Sequence, residues 1–107
     1  MSDASGASAV VVTDVPEEWR YEGRIDDRLV GFVTYQRTSG TITFLHTEVL
    51  PGSEGGGVGG RLARSVLDDA RARGLRVRPI CPFIAAYIRR HPEYADLVRP
   101  GGLSPSA

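Results

Sequence analysis

A run of glycines marks the point where a strand pattern gives way to a helix pattern. Five of the six residues from 55 to 60 are glycine; residues 41–50 alternate before them, and residues 58–73 repeat like a helix after them. Glycine admits positive φ, and without a Cβ it leaves main-chain N–H groups accessible. The first N–H groups of a helix have no internal acceptor, and the helix dipole adds positive charge there. The stretch therefore predicts a site for a phosphate or pyrophosphate.

Two familiar nucleotide signatures fit this glycine run poorly. A P-loop requires a lysine after its last glycine, and the chain contains no lysine. A dinucleotide fold requires two halves of a parallel sheet, for which 107 residues leave little room. The alternative to an anion site is a surface loop with no ligand.

Length and charge narrow the class of protein. The 107 residues suit one domain, and thirteen basic residues balance thirteen acidic ones, so charge indicates neither a nucleic-acid nor a membrane partner. No signal segment or long apolar run occurs, and the single cysteine excludes an internal disulfide. We expect a soluble cytoplasmic protein, without a metal site.

Periodicity predicts an α+β fold. Residues 1–9 and 99–107 are expected to be a disordered arm and tail around a domain of residues 10–98. Alternation and turn residues predict an antiparallel β meander, followed by the glycine loop, a helix, a short parallel strand and a C-terminal helix. The predicted strands are 19–25, 29–37, 41–50 and 75–80, and the helices are 58–73 and 83–90. Residues 10–13 fit either a further strand or part of the arm.

The strand before the loop carries a polar pair. A period of two places His46 and Glu48 on the same face as Ile42 and Phe44. A polar pair beside large apolar residues suits proton transfer or substrate positioning. Alternatively, His46 is a hydrogen-bonded structural residue and Glu48 is solvated.

The helix after the loop has one apolar face. Arg61 and Arg64, in its first two turns, are placed to reach a bound phosphate, although both also suit a solvated surface. The residues predicted to be buried are Val58, Leu62, Ala63, Val66, Leu67 and Ala70.

The lone cysteine is predicted to begin the last helix. Pro82 forces Cys81 into an extended conformation and suits the first helical position, so Cys81 becomes the N-cap. The positive helix end favours the thiolate form there. The alternative is a small buried apolar residue, the usual state of a lone cysteine.

Several segments, taken in order, resemble a known family. They are the meander, HTEV at 46–49, the glycine loop, CPF at 81–83 and RHPEY at 90–94. In this order they are similar to the small single-domain GNAT-like N-acetyltransferases, the YjdJ-type group. The resemblance covers residues 19–98 and implies a GNAT-like α+β fold.

This resemblance implies binding of acetyl-CoA or coenzyme A. In the wider superfamily the loop reads Arg or Gln, two residues, Gly, one residue, then Gly or Ala, and its N–H groups hold the pyrophosphate. Gly57, Val58 and Gly59 match the second half, whereas Glu54 replaces the usual Arg or Gln. The implied cofactor-binding residues are Val49, Glu54, Gly55, Gly56, Gly57, Val58, Gly59, Gly60 and Arg61.

The resemblance also implies a slot and a mechanism. The pantetheine arm enters where the parallel strands part, between residues 47–50 and 75–79. Acetyl passes directly to an amine, with His46 or else Glu48 as base and Tyr87 as acid, although Tyr87 equally fits a ring packed on the core. The small family draws attention to Cys81 as the carrier of an acetyl-cysteine intermediate.

Three functions follow from these observations. The first is an acetyl-CoA-dependent N-acetyltransferase with an unidentified amine acceptor, either a small molecule or a protein. The second is a CoA-binding module with little turnover, favoured by the brevity of the domain. The third is an interaction domain that uses the exposed edge of the meander.

Overall fold

The computed structural model describes residues 9–98 and shows one five-stranded sheet with its helices packed against one face. The predicted arm and tail lie outside the described residues, apart from Ala9. The strands are β1 (Val11–Val15), β2 (Arg20–Ile25), β3 (Arg28–Thr38), β4 (Thr41–Val49) and β5 (Arg76–Pro79). The helices are α1 (Val58–Ala72), α2 (Pro82–Arg90) and α3 (Ala95–Val98), with 3-10 turns at Pro16–Glu18 and Pro92–Tyr94.

The sheet order follows the chain, from β1 to β5. The first four strands are antiparallel neighbours, and β5 is parallel to β4. The predicted meander and parallel strand are therefore confirmed. Of the two interpretations of residues 10–13, the strand is the one observed, as β1. Asp26 and Asp27 turn β2 into β3 with φ of 50° and 70°, the positive values that two-residue hairpin turns require. No helix in residues 9–98 is long and apolar enough to cross a membrane.

The apolar face of α1 forms the centre of the core. All six residues predicted for this face are buried. Leu62 packs over two glycines of the sheet, so closely that a Cβ built on Gly23 would lie 2.9 Å from Leu62 Cδ2. A Cβ on Gly31 would lie 2.7 Å from the main-chain oxygen of Glu48. These two glycines allow the helix and the neighbouring strand to approach the middle of the sheet.

A β-bulge lies in the middle of β4. Thr34 is opposite His46 and Tyr35 is opposite Phe44, so Leu45 is an extra residue in β4. A bulge of this kind shifts the alternation of the residues that follow it, and it bends the strand.

The bulge overturns the predicted face of the polar pair. Phe44 is fully buried, but His46 and Glu48 are exposed, and Thr47 and Val49 are the residues turned partly inward. The prediction that His46 and Glu48 share a face with the core residues of β4 is wrong, because the period of two is interrupted at Leu45. The pair lies on the open face of the sheet, which the helices do not cover.

The parallel strands separate at the same place. β5 pairs with β4 only as far as Pro79 opposite Phe44, and the last link is Cys81 N–H donating to Phe44 O at 2.9 Å. The gap was predicted between residues 47–50 and residues 75–79. It does include residues 47–50 of β4, but residues 76–79 of β5 are paired with residues 41–44, so the prediction is wrong for β5. The gap lies between β4 from Leu45 onward and the start of α2.

Buried tyrosines fix the far end of α1 to the sheet. Tyr21 donates to Asp69 Oδ2 at 2.6 Å and Tyr35 donates to Asp14. Burial, together with these carboxylates, raises the pKa of both phenols, so both are donors at neutral pH. Arg73 bridges the two carboxylates, 2.9 Å from Asp69 and 3.4 Å from Asp14. This network holds the helix in register over the sheet.

Candidate functional site

The N-terminus of α1 faces outward without a side-chain cap. Gly57 is the N-cap, with φ 79° and ψ 12°, and no side chain in the described part of the chain caps the helix there. Arg61 N–H, which donates to Gly57 O at 3.1 Å, makes the first intrahelical bond. The N–H groups of Val58, Gly59 and Gly60 precede that bond and point along the axis toward the loop. Together with the helix dipole they form a site for an anion.

The loop before α1 is open to a ligand. Gly52, Gly55 and Gly57 all have positive φ, and a Cβ on any of them would meet no protein atom within 4 Å. Glu54 Oε1 accepts a hydrogen bond from Gly52 N–H at 2.9 Å. The carboxylate that departs from the family pattern is therefore engaged within its own turn.

Gly59 and Gly60, in the second half of the glycine run, face the helix α2. A Cβ on Gly59 would lie 2.9 Å from the Phe83 ring, and one on Gly60 would lie 4.0 Å from the Tyr87 ring. Gly59 is therefore the glycine that lets α1 approach Phe83, whereas a Cβ at Gly60 would make only an ordinary contact. The run combines an open loop at residues 55–57 with a close helix contact at Gly59, a division that the sequence did not reveal.

The parted edge of β4 presents main-chain groups to the gap. Leu50 N–H donates to Val30 O on β3 at 2.9 Å. Because successive residues of a strand direct their N–H and C=O groups to opposite sides, Val49 and Thr47 direct theirs away from β3. An extended ligand with amide groups would find donors and acceptors there.

Cys81 lies at the inner end of this gap. It is the N-cap of α2, as predicted, with φ −63° and ψ 122°. Its Sγ is 3.4 Å from Thr47 Oγ1, and the residue is only 2% exposed. Thr47 was missed by sequence reasoning, because the unbroken alternation placed it on the face opposite Phe44.

His46 and Glu48 form a pair on the other side of β4. His46 Nε2 lies 3.1 Å from Glu48 Oε1, both side chains are about half exposed, and the Phe32 ring is 6.4 Å from the imidazole. The structure therefore brings the two predicted bases together. It does not bring them to Cys81, which lies toward the helices.

Tyr87 occupies a third position, between α1 and the end of α2. Its ring stacks on His91 with centroids 4.0 Å apart, and burial raises its pKa. It follows Cys81 by six residues, about 9 Å along α2 and on a different side of the helix. These contacts are those of a packed ring, and the acid role of Tyr87 stays a prediction.

Other clusters lie away from these residues. Within residues 9–98 no group of three His, Cys, Asp or Glu side chains is placed to hold a metal ion. A cavity of about 540 Å³, lined by Asp14, Gly40 and Arg73 among others, lies at the C-terminal end of α1. The length of α1 separates it from the glycine loop by about 22 Å.

The geometry defines an α+β protein with an uncapped, glycine-led helix end beside a parted pair of parallel strands. The model of the GCN5-related N-acetyl-transferase family matches residues 20–97. The chain therefore belongs to this family, and the predictions of a GNAT-like fold and of an acetyltransferase are confirmed.

A solved structure agrees with this assignment. The chain is similar to a GCN5-like protein from Staphylococcus aureus, described as a candidate N-acetyltransferase and determined by NMR in solution. The TM-score is 0.63 at 22% identity, over 82% of this chain and 86% of that chain. At this identity the likeness concerns the fold. Comparison with curated proteins found no match.

Proposed function

We propose that this chain binds acetyl-CoA and transfers its acetyl group to an amine, as a member of the YjdJ-type group. The observation that carries the proposal is the uncapped, glycine-led N-terminus of α1, which lies beside the unpaired edge of β4. A cytoplasmic location is part of the proposal and rests on the single cysteine, which forms no disulfide.

The cofactor is assigned to two elements. The pyrophosphate lies against the N–H groups of residues 58–60, where Arg61 and Arg64 add positive charge. The pantetheine arm runs along β4 and forms hydrogen bonds with the main chain of Val49 and Thr47, as an added strand would. The thioester then lies where β4 and β5 part.

The polar pair on the open face is assigned to proton transfer. When His46 Nε2–H donates to Glu48, the other ring nitrogen, Nδ1, carries the lone pair. The amine nitrogen attacks the thioester carbonyl carbon, the C–S bond breaks, and coenzyme A leaves as the thiolate. His46 takes the proton from the amine and returns it to that thiolate or to solvent.

Calorimetric titration with acetyl-CoA tests the proposal. A dissociation constant of about 100 µM or tighter is expected, and absence of heat at that concentration would remove both the enzyme and the CoA-binding interpretations. A cofactor that binds without any release of free thiol, over a panel of amines, would favour the binding module. The position of His46 and Glu48 on the open face, on the other side of β4 from the gap, is what supports that second function.

His46→Gln tests the assigned base. Turnover is expected to fall about 100-fold, because glutamine cannot take the proton, while affinity for acetyl-CoA stays unchanged. The control is His91→Gln, which replaces the other histidine of the chain. A rate within twofold of the parent would remove His46 from the mechanism.

Cys81→Ala distinguishes direct transfer from an acetyl-cysteine route. The thiol is buried and engaged with Thr47, so we expect turnover to persist and no acetyl adduct to form on Cys81 during incubation with acetyl-CoA. The chain has no lysine and a single cysteine, so an acetyl adduct seen by intact mass spectrometry has few other sites to consider. An adduct that forms on Cys81 and transfers to added amine would establish the covalent route instead.

A further inference from the structure

A groove runs along the open face of the sheet. Its volume is about 430 Å³, and its walls include Trp19, Leu45 and the side chains of Thr34 and Gln36. Thr34 and Gln36 lie on the open face because they alternate with the buried Val33 and Tyr35 of β3. Lining residues also include Glu18, Tyr35, Arg37 and Thr38.

The walls are apolar side chains left in solvent. Trp19 is 57% exposed and Leu45 is 39% exposed. A large exposed apolar surface generally marks a contact or ligand site. Trp19 ends the first 3-10 turn with φ 57° and ψ 39°. This left-handed conformation is unusual for a bulky residue, and such outliers cluster at active sites and ligand contacts.

The inner end of the groove meets the assigned reaction site. Leu45 is the bulge residue, one position past Phe44, where β5 ceases to pair with β4. Thr34, in the floor of the groove, is directly opposite His46 on the neighbouring strand. A molecule in the groove therefore has one end beside His46 and the parted strands, and the other beside Trp19.

The inner end of the groove is the end that favours a cation. The lining itself is balanced, with the carboxylate of Glu18 and the guanidinium of Arg37. Glu48 adds a carboxylate next to His46 at the inner end. The guanidinium of Arg37 lies 4.0 Å from Asp14. Arg20, opposite Thr34 on β2, lies 2.8 Å from Glu22, so both guanidinium groups near the groove already have carboxylate partners.

We propose that this groove binds the acetyl acceptor, and that the acceptor is a small primary amine with an aromatic or other apolar body. The apolar body lies between Trp19 and Leu45, and the amine lies beside His46. This inference rests on the proposed function for the reaction, but the binding of the amine does not depend on turnover.

Trp19 itself supplies the test, because it is the only tryptophan of the chain. Its fluorescence is titrated with phenethylamine, with 2-phenylethanol, which lacks the charge, and with ethylamine, which lacks the ring. We expect phenethylamine to change the emission at about tenfold lower concentration than either analogue. Free N-acetyltryptophanamide controls for collisional quenching, and Glu48→Gln, which removes the carboxylate beside His46, is expected to make phenethylamine and 2-phenylethanol equivalent. An equal response to ethylamine would overturn the proposal and would fit a lysine side chain instead.

A variant that removes the indole and also relieves the left-handed backbone strain at residue 19 provides the second measurement. Trp19→Gly suits the left-handed conformation, so folding is kept while the indole is lost. We expect the KM for phenethylamine to rise about tenfold and acetyl-CoA affinity to stay unchanged. Val11→Ala, another exposed apolar residue but on β1, is the control and should change neither. An unchanged KM in Trp19→Gly would overturn the groove assignment, whereas failure of acetyl-CoA to bind would overturn the proposed function and leave the fluorescence test intact.

Discussion

Gly56→Val is expected to weaken acetyl-CoA binding by about 30-fold while leaving thermal unfolding nearly unchanged. Gly56 does not adopt positive φ, and the nearest atom to a Cβ built there is Ser53 O at 3.9 Å. Valine therefore fits the free protein. It places two methyl groups where the diphosphate must approach the main chain, so the substitution destabilises the complex with acetyl-CoA and not the free protein. Calorimetry and a thermal melt on the same sample measure the two effects.

A strain-matched pair separates loop geometry from ligand contact. Gly57 and Gly40 have φ of 79° and 73°, and at both positions a Cβ meets no atom within 4 Å. Alanine in this conformation costs about 1–2 kcal/mol of stability at either position. We expect Gly57→Ala to lose cofactor affinity as well, whereas Gly40→Ala, in the β3–β4 turn, retains it. Equal affinities in the two variants would show that the loop has only a structural role.

The sequence specifies most of this fold through local signals. Alternation, turn residues and one apolar helical face predicted β2 to β5, α1 and α2 within a few residues, because each signal acts over a short stretch of chain. Gly74 follows the end of α1 with φ 70°, a conformation that favours glycine, and Cys81 and Pro82 begin α2 as predicted from residue type. The parallel orientation of β5 followed from the helix that precedes it, which crosses back over the sheet.

The site was harder to predict because one extra residue reverses a face. Leu45 carries no signal that distinguishes a bulge from continued alternation, and the register against β3 is set by contacts far away in the chain. Sequence reasoning therefore placed His46 toward the core and missed Thr47 beside Cys81. Composition likewise gave no reason to expect an exposed Trp19 next to the bulge, since that proximity arises only when β2, β3 and β4 pair.

Gly31→Ala is expected to destabilise the protein by about 3 kcal/mol, lowering the melting temperature by roughly 15 °C. Its Cβ would lie 2.7 Å from Glu48 O and 2.9 Å from Leu62 Cδ1. The oxygen belongs to the main chain of β4, which is hydrogen-bonded to β3. The oxygen therefore cannot move away from the new methyl group without disturbing that pairing. Denaturant unfolding followed by circular dichroism measures the loss.

Gly23→Ala provides the comparison, because its closest neighbours are side chains. Its Cβ would lie 2.9 Å from Leu62 Cδ2 and 3.1 Å from Val10 Cγ1. Shortening the leucine removes the first of these clashes, so Leu62→Ala should recover part of the loss in Gly23→Ala and much less of that in Gly31→Ala. A double-mutant cycle measures the difference as a coupling free energy. Similar coupling at both glycines would mean that the main chain at Glu48 yields, and that the edge of β4 facing the gap is less rigid than a preformed cofactor slot requires.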